Sequence, residues 1–241
     1  MNEIAQDKDT DLYQPAYVRQ LFDDMASTYG AMNLISSFGF TVRWRRQCVD
    51  KVELGPGQIV FDLMSGMGEM WPSIFEKTMR QGSLYGVDFS HEMCKRSMQQ
   101  DNAVGVEVIE TDVLSNQIAS ASADVIVSGF GLKTFSDQQK RLLAIEIARI
   151  LRSGGRFSLL EISVPPNWFL RVPFMFYLRY FIPVIGRLFL GNPDNYRLLW
   201  VYTSRFGNSS SMYKFLEGCG LQVKYERYFF GCATGVSGIK P

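Results

Sequence analysis

The stretch Ile59-Val60-Phe61-Asp62-Leu63-Met64-Ser65-Gly66-Met67-Gly68-Glu69 decides how the rest of the chain is read. Its first five residues form a short apolar run, as expected for a strand buried on both faces of a parallel sheet. Gly55-Pro56-Gly57 makes the turn before it. Ser65-Gly66-Met67-Gly68 makes a tight loop, whose glycines let the backbone come close to a ligand. A helix is predicted from about Glu69 to Arg80, and the next strand from Ser83 to Asp88. Asp88 therefore ends a strand twenty positions after Gly68. Ligands of open α/β sheets bind outside the C-terminal ends of the strands, and an acid at this place typically accepts hydrogen bonds from ribose hydroxyls. A GxGxxG fingerprint would need a third glycine where Trp71 stands, and no phosphate-binding lysine follows. Both departures weaken a dinucleotide reading.

Outward from this unit the alternation continues. Ser90 is a candidate N-cap for a helix reaching Gln100. Strands are predicted at Val106–Thr111, Ala123–Ser128 and Arg156–Ile162. A helix from Ser136 to Leu151 is expected to end at Ser153-Gly154-Gly155. Strands alternating with helices imply a parallel sheet with right-handed crossovers. Leu221–Phe230 and Val236–Lys240 read instead as a closing antiparallel pair. Between them and the fifth strand lies an insertion over residues 164–206. Upstream, Val18, Leu21, Phe22, Met25 and Tyr29 recur at helical spacing from Pro15 onward. A second helix is predicted from Thr41 to Lys51, rich in Arg and Trp (Arg43, Trp44, Arg45, Arg46). Residues 1–14 read as a disordered tail and residues 15–241 as one domain.

Composition narrows the function classes. The chain has 241 residues, 46% hydrophobic and 20% charged, enough for one large globular α/β domain. A net charge of +1 argues against a dedicated nucleic-acid binder, which needs a basic excess. Cys48, Cys94, Cys219 and Cys232 form no CxxC pair, and His91 is the one histidine, so a Cys/His zinc site is not expected. Free thiols in a reducing compartment are the plain reading. The polar, acidic N-terminus reads as neither a secretory signal nor a transit peptide.

Several further segments carry a family resemblance. Phe22-Asp23-Asp24-Met25-Ala26-Ser27-Thr28-Tyr29-Gly30-Ala31-Met32-Asn33 resembles the N-terminal FDxxAxxYDxMN segment of the UbiE/COQ5 family of quinone C-methyltransferases. Ser37-Phe38-Gly39 and Trp44 follow in the family's order. Gly129-Phe130-Gly131-Leu132-Lys133 is similar to SFGLRN, Leu151-Arg152-Ser153-Gly154-Gly155-Arg156 to LKPGGR, and Asp194-Asn195-Tyr196-Arg197-Leu198-Leu199 to DSYRYL. Any one of these is weak, whereas their order over nearly all of the chain after residue 15 is specific. The resemblance implies an α/β, class I S-adenosylmethionine-methyltransferase, Rossmann-like fold. This is a mostly parallel seven-stranded sheet with an antiparallel C-terminal strand, and 164–206 is its helical lid. It implies S-adenosylmethionine on Asp62, Leu63, Ser65, Gly66, Met67 and Gly68, ribose on Asp88, adenine near Asp112 and Val113, and Gly129 at the same site. Tyr29 closes the methionine end in this picture, and Tyr29, Asp112 and Arg197 are the candidate catalytic residues. The bland alternative for Tyr29 is helix packing.

The chain also departs from that family. Where the family has DLxGGTGD, this sequence has Asp62-Leu63-Met64-Ser65-Gly66-Met67-Gly68-Glu69. Ser65 replaces glycine and Met67 replaces threonine, while Trp71 adds bulk one turn on. Val113 stands for a smaller alanine and Gly129 for a serine. A close-packed wall that gains methylenes must shift its ligand or relax. The loop resembles that of the rhodoquinone-biosynthesis enzymes (RquA type), relatives of the UbiE/COQ5 family. That resemblance implies exchange of a ubiquinone ring methoxy for an amino group, with S-adenosylmethionine as nitrogen donor and manganese assisting. A conventional C-methyltransferase of a polyprenyl quinone or another small molecule is the alternative. A non-catalytic subunit of a quinone-synthesis assembly is the third reading.

His91, just after Asp88-Phe89-Ser90, is expected to be structural or solvated rather than a base. Asp88, Asp112 and Glu161 at strand ends suit a hard divalent ion, yet such acids are also plain cofactor contacts, so the metal ligands are left open. The insertion carries twelve aromatics, from Trp168 to Phe206. Arg171, Pro173, Arg179, Pro183 and Arg187 are expected to interrupt it too often for a bilayer span, which needs about 20 apolar residues. It is expected to be a lid with an interfacial, membrane-facing surface. Arg187 and Arg197 are placed either at the quinone oxygens or as braces of the lid. A peripheral position on a bacterial inner membrane (cytoplasmic side) or a mitochondrial inner membrane is expected. The oligomeric state is not legible.

Overall fold

A computed structural model describes residues 12–189 and 193–241. Most of the predicted tail, residues 1–11, lies outside them. Leu12 and Tyr13 are tied to the body: the Tyr202 hydroxyl donates to the Leu12 carbonyl at 2.6 Å, and the Gln139 amide donates to the Tyr13 carbonyl at 3.0 Å.

In chain order the elements are α1 (Pro15–Met25), α2 (Tyr29–Ser36), α3 (Phe40–Val49), β1 (Ile59–Leu63), α4 (Trp71–Thr78), β2 (Ser83–Asp88), α5 (His91–Met98), β3 (Val106–Glu110), β4 (Ala123–Gly129), α6 (Asp137–Ile150), β5 (Leu151–Ile162), α7 (Trp168–Phe176), α8 (Ile182–Phe189), α9 (Pro193–Phe206), α10 (Ser210–Gly218), β6 (Gln222–Tyr228) and β7 (Ala233–Ile239). The seven strands form one sheet in the order β3-β2-β1-β4-β5-β7-β6. β1 lies parallel to β2 and β4, with Phe61 opposite Tyr85 on one side and Ile126 on the other. β7 runs antiparallel to both β5 and β6.

Period-2 alternation splits the strands' side chains between two cores. Phe61, Leu63, Ile126, Phe157, Leu159 and Val236 face one side, where Leu143, Ala144, Ile147 and Ile150 of α6 cover them. Val60, Val125, Val127 and Leu160 face the other, under Trp44, Cys48 and Val49 of α3 and Trp71 and Ile74 of α4. A capping box starts α6: the Ser136 hydroxyl accepts from the Gln139 N–H, and the Gln139 side chain accepts from the Ser136 N–H.

The structure departs from the sequence expectations in three places. The single helix expected through Tyr29 is two helices. Between them the Thr28 hydroxyl meets the Met25 carbonyl at 3.3 Å and the Tyr196 hydroxyl at 2.7 Å. Ser153-Gly154-Gly155 is not the end of a helix but part of β5, which starts at Leu151. Gly154, at φ +79°, donates its N–H to the Lys240 carbonyl, and the β4–β5 register shifts between Ala123 and Val125. The glycines serve a bulge that the C-terminal strand pins down. Lastly, the insertion is less interrupted than expected. Trp168–Arg187 is a helical run of 20 residues with mean hydropathy 1.3, long and apolar enough by length and composition to cross a bilayer. A π-helical turn at Tyr177–Phe181 carries it past the arginine. The run nevertheless lies on the body. Leu178 and Ile182 are buried against Met32 and Tyr196. One turn further, a Cβ added at Gly186 would meet the Tyr196 ring at 2.4 Å.

Ile147 is fully buried at the centre of the α6 face. Ile147→Ala is expected to lower the unfolding free energy by roughly 2–5 kcal/mol, read as an earlier urea midpoint with an unchanged slope.

Candidate active site

A crevice opens where β1, β2 and β4 end, lined by Ser65, Gly66, Glu69, Asp88, Val113 and Gly129 among others. Its floor is the β1–α4 loop. Met64, Gly66 and Gly68 all take left-handed backbone, at φ +55°, +56° and +78°. Asp88 holds that loop to β2. One carboxylate oxygen accepts the Gly66 N–H at 2.8 Å, and the other accepts the Ser90 N–H at 2.9 Å. Each oxygen keeps a second lone pair for a ligand hydroxyl. Burial pushes the Asp88 carboxyl up to about 6, against the pull of the Ser90 and Gly66 N–H groups.

Trp71 lies beneath the loop, fully buried. A Cβ on Gly68 would come within 2.4 Å of its ring, and one on Gly86 within 2.7 Å. The indole thus fills the room that two glycines leave. This corrects the expectation of a uniformly bulkier wall: Trp71 and Met67 do not line the crevice. Met64, Ser65, Val113 and Gly129 do, whereas Asp62, Leu63 and Gly68 support the loop from behind. Asp62 is 1% exposed, and neither of its oxygens has a hydrogen-bond partner. Burial holds its proton affinity well above the ordinary carboxylate range, the Glu69 charge adds to this, and Arg45 opposes it.

A second, apolar cavity lies under the lid, walled by Trp44, Leu178, Ile182, Tyr196 and Cys232. It shares Phe22, Tyr29, Phe130 and Thr134 with the crevice, so the two spaces adjoin. Burial, and next the Glu69 charge, raise the Tyr29 phenol above its ordinary range, so it stays protonated and acts as a donor. Arg45 lies over the Phe130 ring at 4.9 Å and within 3.6 Å of Glu69. Lys133, also on the apolar cavity, is held by Glu161: Nζ sits 3.0 Å from one oxygen and the Lys133 N–H donates to the other at 2.9 Å. Its ammonium also donates to the Phe130 carbonyl at 2.7 Å. Removing one member of such a pair leaves an uncompensated buried charge.

Motif reading does not single out Arg45, Glu69 or Lys133. In the sequence Arg45 is one of several arginines on a helix, and Lys133 only ends Gly129-Phe130-Gly131-Leu132-Lys133. Asp112 lines the crevice, with one oxygen taking the Leu114 N–H at 2.9 Å. His91 lies at the surface, its Nδ1 3.0 Å from Glu110, and lines neither cavity. Arg197 and Arg187 line neither cavity either; both border a surface groove beside Arg179 and Trp200. Helical spacing explains Arg197: its neighbour Tyr196 points inward, and one residue turns the next side chain about 100° away. Among the described residues no three Asp, Glu, His or Cys side chains are grouped to hold a metal. Of the three strand-end acids, Glu161 is committed to Lys133, while Asp88 and Asp112 accept backbone N–H groups and are not grouped with further acids.

A model of the ubiE/COQ5 methyltransferase family matches residues 9–240. The chain is similar to a demethylmenaquinone methyltransferase of Thermus thermophilus, 31% identical over 225 residues that cover 92% of this chain and 100% of the relative. It is also similar to that of Desulfitobacterium hafniense, 28% identical over 233 residues, 94% of this chain and 90% of the relative. Among solved structures, a SAM-dependent methyltransferase from Thermotoga maritima superposes with TM-score 0.60 at 16% identity, covering 92% of this chain and 99% of that one. One from Aquifex aeolicus gives 0.53 at 16% identity, over 78% and 85%. At such identities the likeness is one of fold, the class I S-adenosylmethionine-methyltransferase fold.

The buried acids make stability depend on pH in a definite direction. Above about pH 6 a folded chain carries an ionised, buried Asp88, at a cost that the unfolded chain escapes. As pH falls below 6 toward the ordinary value of 3.8, the folded state takes up the proton first and gains stability. The urea midpoint of the ligand-free protein should therefore rise between about pH 7 and about pH 5. Asp88→Asn should flatten part of that rise, whatever it does to absolute stability; an identical slope in the variant would place the titrating group elsewhere.

Proposed function

The chain belongs to the ubiE/COQ5 methyltransferase family, and from that premise we propose that this S-adenosylmethionine-dependent transferase acts on the ring of a polyprenyl quinone, exchanging a methoxy for an amino group. The observation that carries the quinone assignment is the shared wall of the two cavities. The crevice that carries Asp88 and Glu69 adjoins an apolar pocket across Tyr29, Phe130, Phe22 and Thr134. A ring pushed to that wall from the apolar side would meet the cofactor's reactive end from the polar side.

The residues suit S-adenosylmethionine. Asp88 has free lone pairs for the ribose hydroxyls, and the left-handed loop leaves no Cβ at Gly66 to fill the crevice. Glu69, with one oxygen lacking a hydrogen-bond partner, and Ser65, whose buried hydroxyl has none, face the methionine end. When bound, the cofactor supplies an activated methyl group or, in the exchange reading, the nitrogen. The protein's part is positioning and proton traffic. Tyr29, kept protonated, donates toward a quinone carbonyl and polarises the ring. Arg45 anchors Glu69 to the junction.

Exchange is supported by the altered loop. In exchange an uncharged amine would bond to the methoxy-bearing ring carbon, the C–O bond would break and methoxide would leave with the amine's proton, so a nearby group must first take the ammonium proton. Glu69 lines the crevice with one oxygen lacking a hydrogen-bond partner and is placed to take it, whereas Asp62 lies behind the loop and burial favours its protonated form. Methyl transfer to the quinone ring is the second reading. The family and the relatives' names support it more directly than exchange.

Purified protein is to be incubated with S-adenosylmethionine and either ubiquinone or demethylmenaquinone, and the quinones read by mass spectrometry, with and without manganese. A product bearing an amino group in place of methoxy supports exchange, and an added methyl supports the second reading. No product, together with no calorimetric binding of S-adenosylmethionine, refutes both and leaves a non-catalytic role. For either chemistry, Tyr29→Phe is expected to lower kcat by about 10²-fold with little change in KM, as for loss of one oriented donor. Restoring Ser65→Gly should shift the product ratio toward methylation if the loop directs the outcome.

A further inference from the structure

The mouth of the apolar cavity is rimmed by phenylalanines in a costly conformation. Phe38, Phe229 and Phe230 sit at φ +50°, +40° and +54°, and are 79%, 47% and 77% exposed. Left-handed backbone is a genuine outlier for a bulky residue and costs on the order of 1–3 kcal/mol per site. Phe38 and Phe230, which face water, recover little of this through burial, whereas Phe229 packs on Phe40 at 4.7 Å. Phe38 and Phe229 line the apolar cavity. Phe230 shares a shallow surface groove with Phe169, Leu170 and Arg227. From there the exposed surface continues along α7 through Trp168, Val172 and Phe176 to Tyr180 and Phe181. Rings connect it: Phe38 lies 6.0 Å from Tyr177, and Phe229 lies 5.6 Å from Phe230. An apolar surface this continuous marks an interaction site rather than ordinary scatter.

We propose that this aromatic rim and the exposed side of the Trp168–Arg187 run form a docking surface for an anionic lipid bilayer. Charge favours that occupant. Between Glu161 and Asp194 the chain has no acidic residue, while Arg171, Arg179 and Arg187 are spaced along the run. Cationic, aromatic, acid-free helices lie in the headgroup region of anionic membranes. A second copy of this chain fits less well, because a two-fold contact would bring two such arginine rows together with no carboxylate on the run to pair them. The run cannot leave the body to span the bilayer without unpacking Leu178 and Ile182. Continuity with the cavity mouth adds a purpose that rests on the quinone reading: a tail dissolved in the bilayer would reach the pocket without crossing water.

The vesicle-binding measurement uses the full chain, with neither S-adenosylmethionine nor quinone present, so its result stands whether or not the quinone chemistry does. Co-sedimentation is measured with phosphatidylcholine vesicles, alone or with about 30% phosphatidylglycerol, at about 0.1 M and 0.5 M salt. The protein is expected to pellet with the anionic vesicles and to lose binding at high salt. Trp168→Ser/Phe169→Ser/Phe230→Ser should weaken binding at least about tenfold. None of these three residues lines either cavity, so turnover of a short-chain, water-soluble quinone should persist. Arg171→Glu, a single exposed change, should reduce the preference for anionic vesicles while leaving the thermal unfolding profile in place. Absence of co-sedimentation with either vesicle overturns the proposal. So does a solution dimer that the triple variant dissociates, or binding that the triple variant retains.

Discussion

One carboxylate organises this molecule's working end. Asp88 accepts the Gly66 N–H from the β1–α4 loop and the Ser90 N–H from the start of α5. It thereby joins the ends of two parallel strands to the two helices that leave them. The loop it holds is strained, with Met64 in left-handed backbone, and lies on the Trp71 indole, which occupies the room left by Gly68 and Gly86. A ligand at the crevice meets a turn clamped from above by a charge and supported from below by a ring. Neither contact adjusts independently of the other. A substitution in this loop therefore acts on the crevice through the turn as a whole, even where its side chain does not line it.

The charges around the junction form a connected set. Asp62, Glu69 and Asp88 repel one another in a buried space, and Arg45 is the cation that opposes Asp62's raised proton affinity. The same Arg45 lies over Phe130, the residue that forms part of both cavities. On the far side Lys133 and Glu161 tie β4's exit to β5 through two short hydrogen bonds, and the Lys133 ammonium donates a third to the Phe130 carbonyl. An apolar pocket bounded by a fully engaged ion pair keeps its shape without exposing a free charge to an apolar ligand. Tyr29 is then the donor at the junction that remains protonated across the physiological range.

The lid extends this logic outward. Its inner stripe, Leu178 and Ile182 with Gly186 a turn further, is spaced by four residues and seats the helix against Met32 and Tyr196. Its outer side remains aromatic and exposed, and the strained rim phenylalanines continue it. The proposed bilayer docking would give a physical reason for one helix to be apolar on opposite sides.

The parallel strands, the Ser90 cap, the tight glycine loop and the strand-end Asp88 are legible along the chain. Each rests on periodicity or on groups within a few residues of one another. The β5 bulge is not, because a Gly-Gly pair looks like a helix stop, and only pairing with Lys240 shows otherwise. Nor is the continuity of 168–187, because prolines and arginines suggest interruption, while a π-helical turn and contacts with Met32 and Tyr196 keep it helical. Arg197 stands out by motif yet faces a surface groove, whereas Arg45 belongs to no motif and meets Glu69, the end of the loop motif, beside the junction. Local geometry was thus determined by the sequence itself. The site's proton affinities and its neighbours across space were decided only by the tertiary structure, because desolvation and Coulomb forces depend on segments that the fold alone brings together.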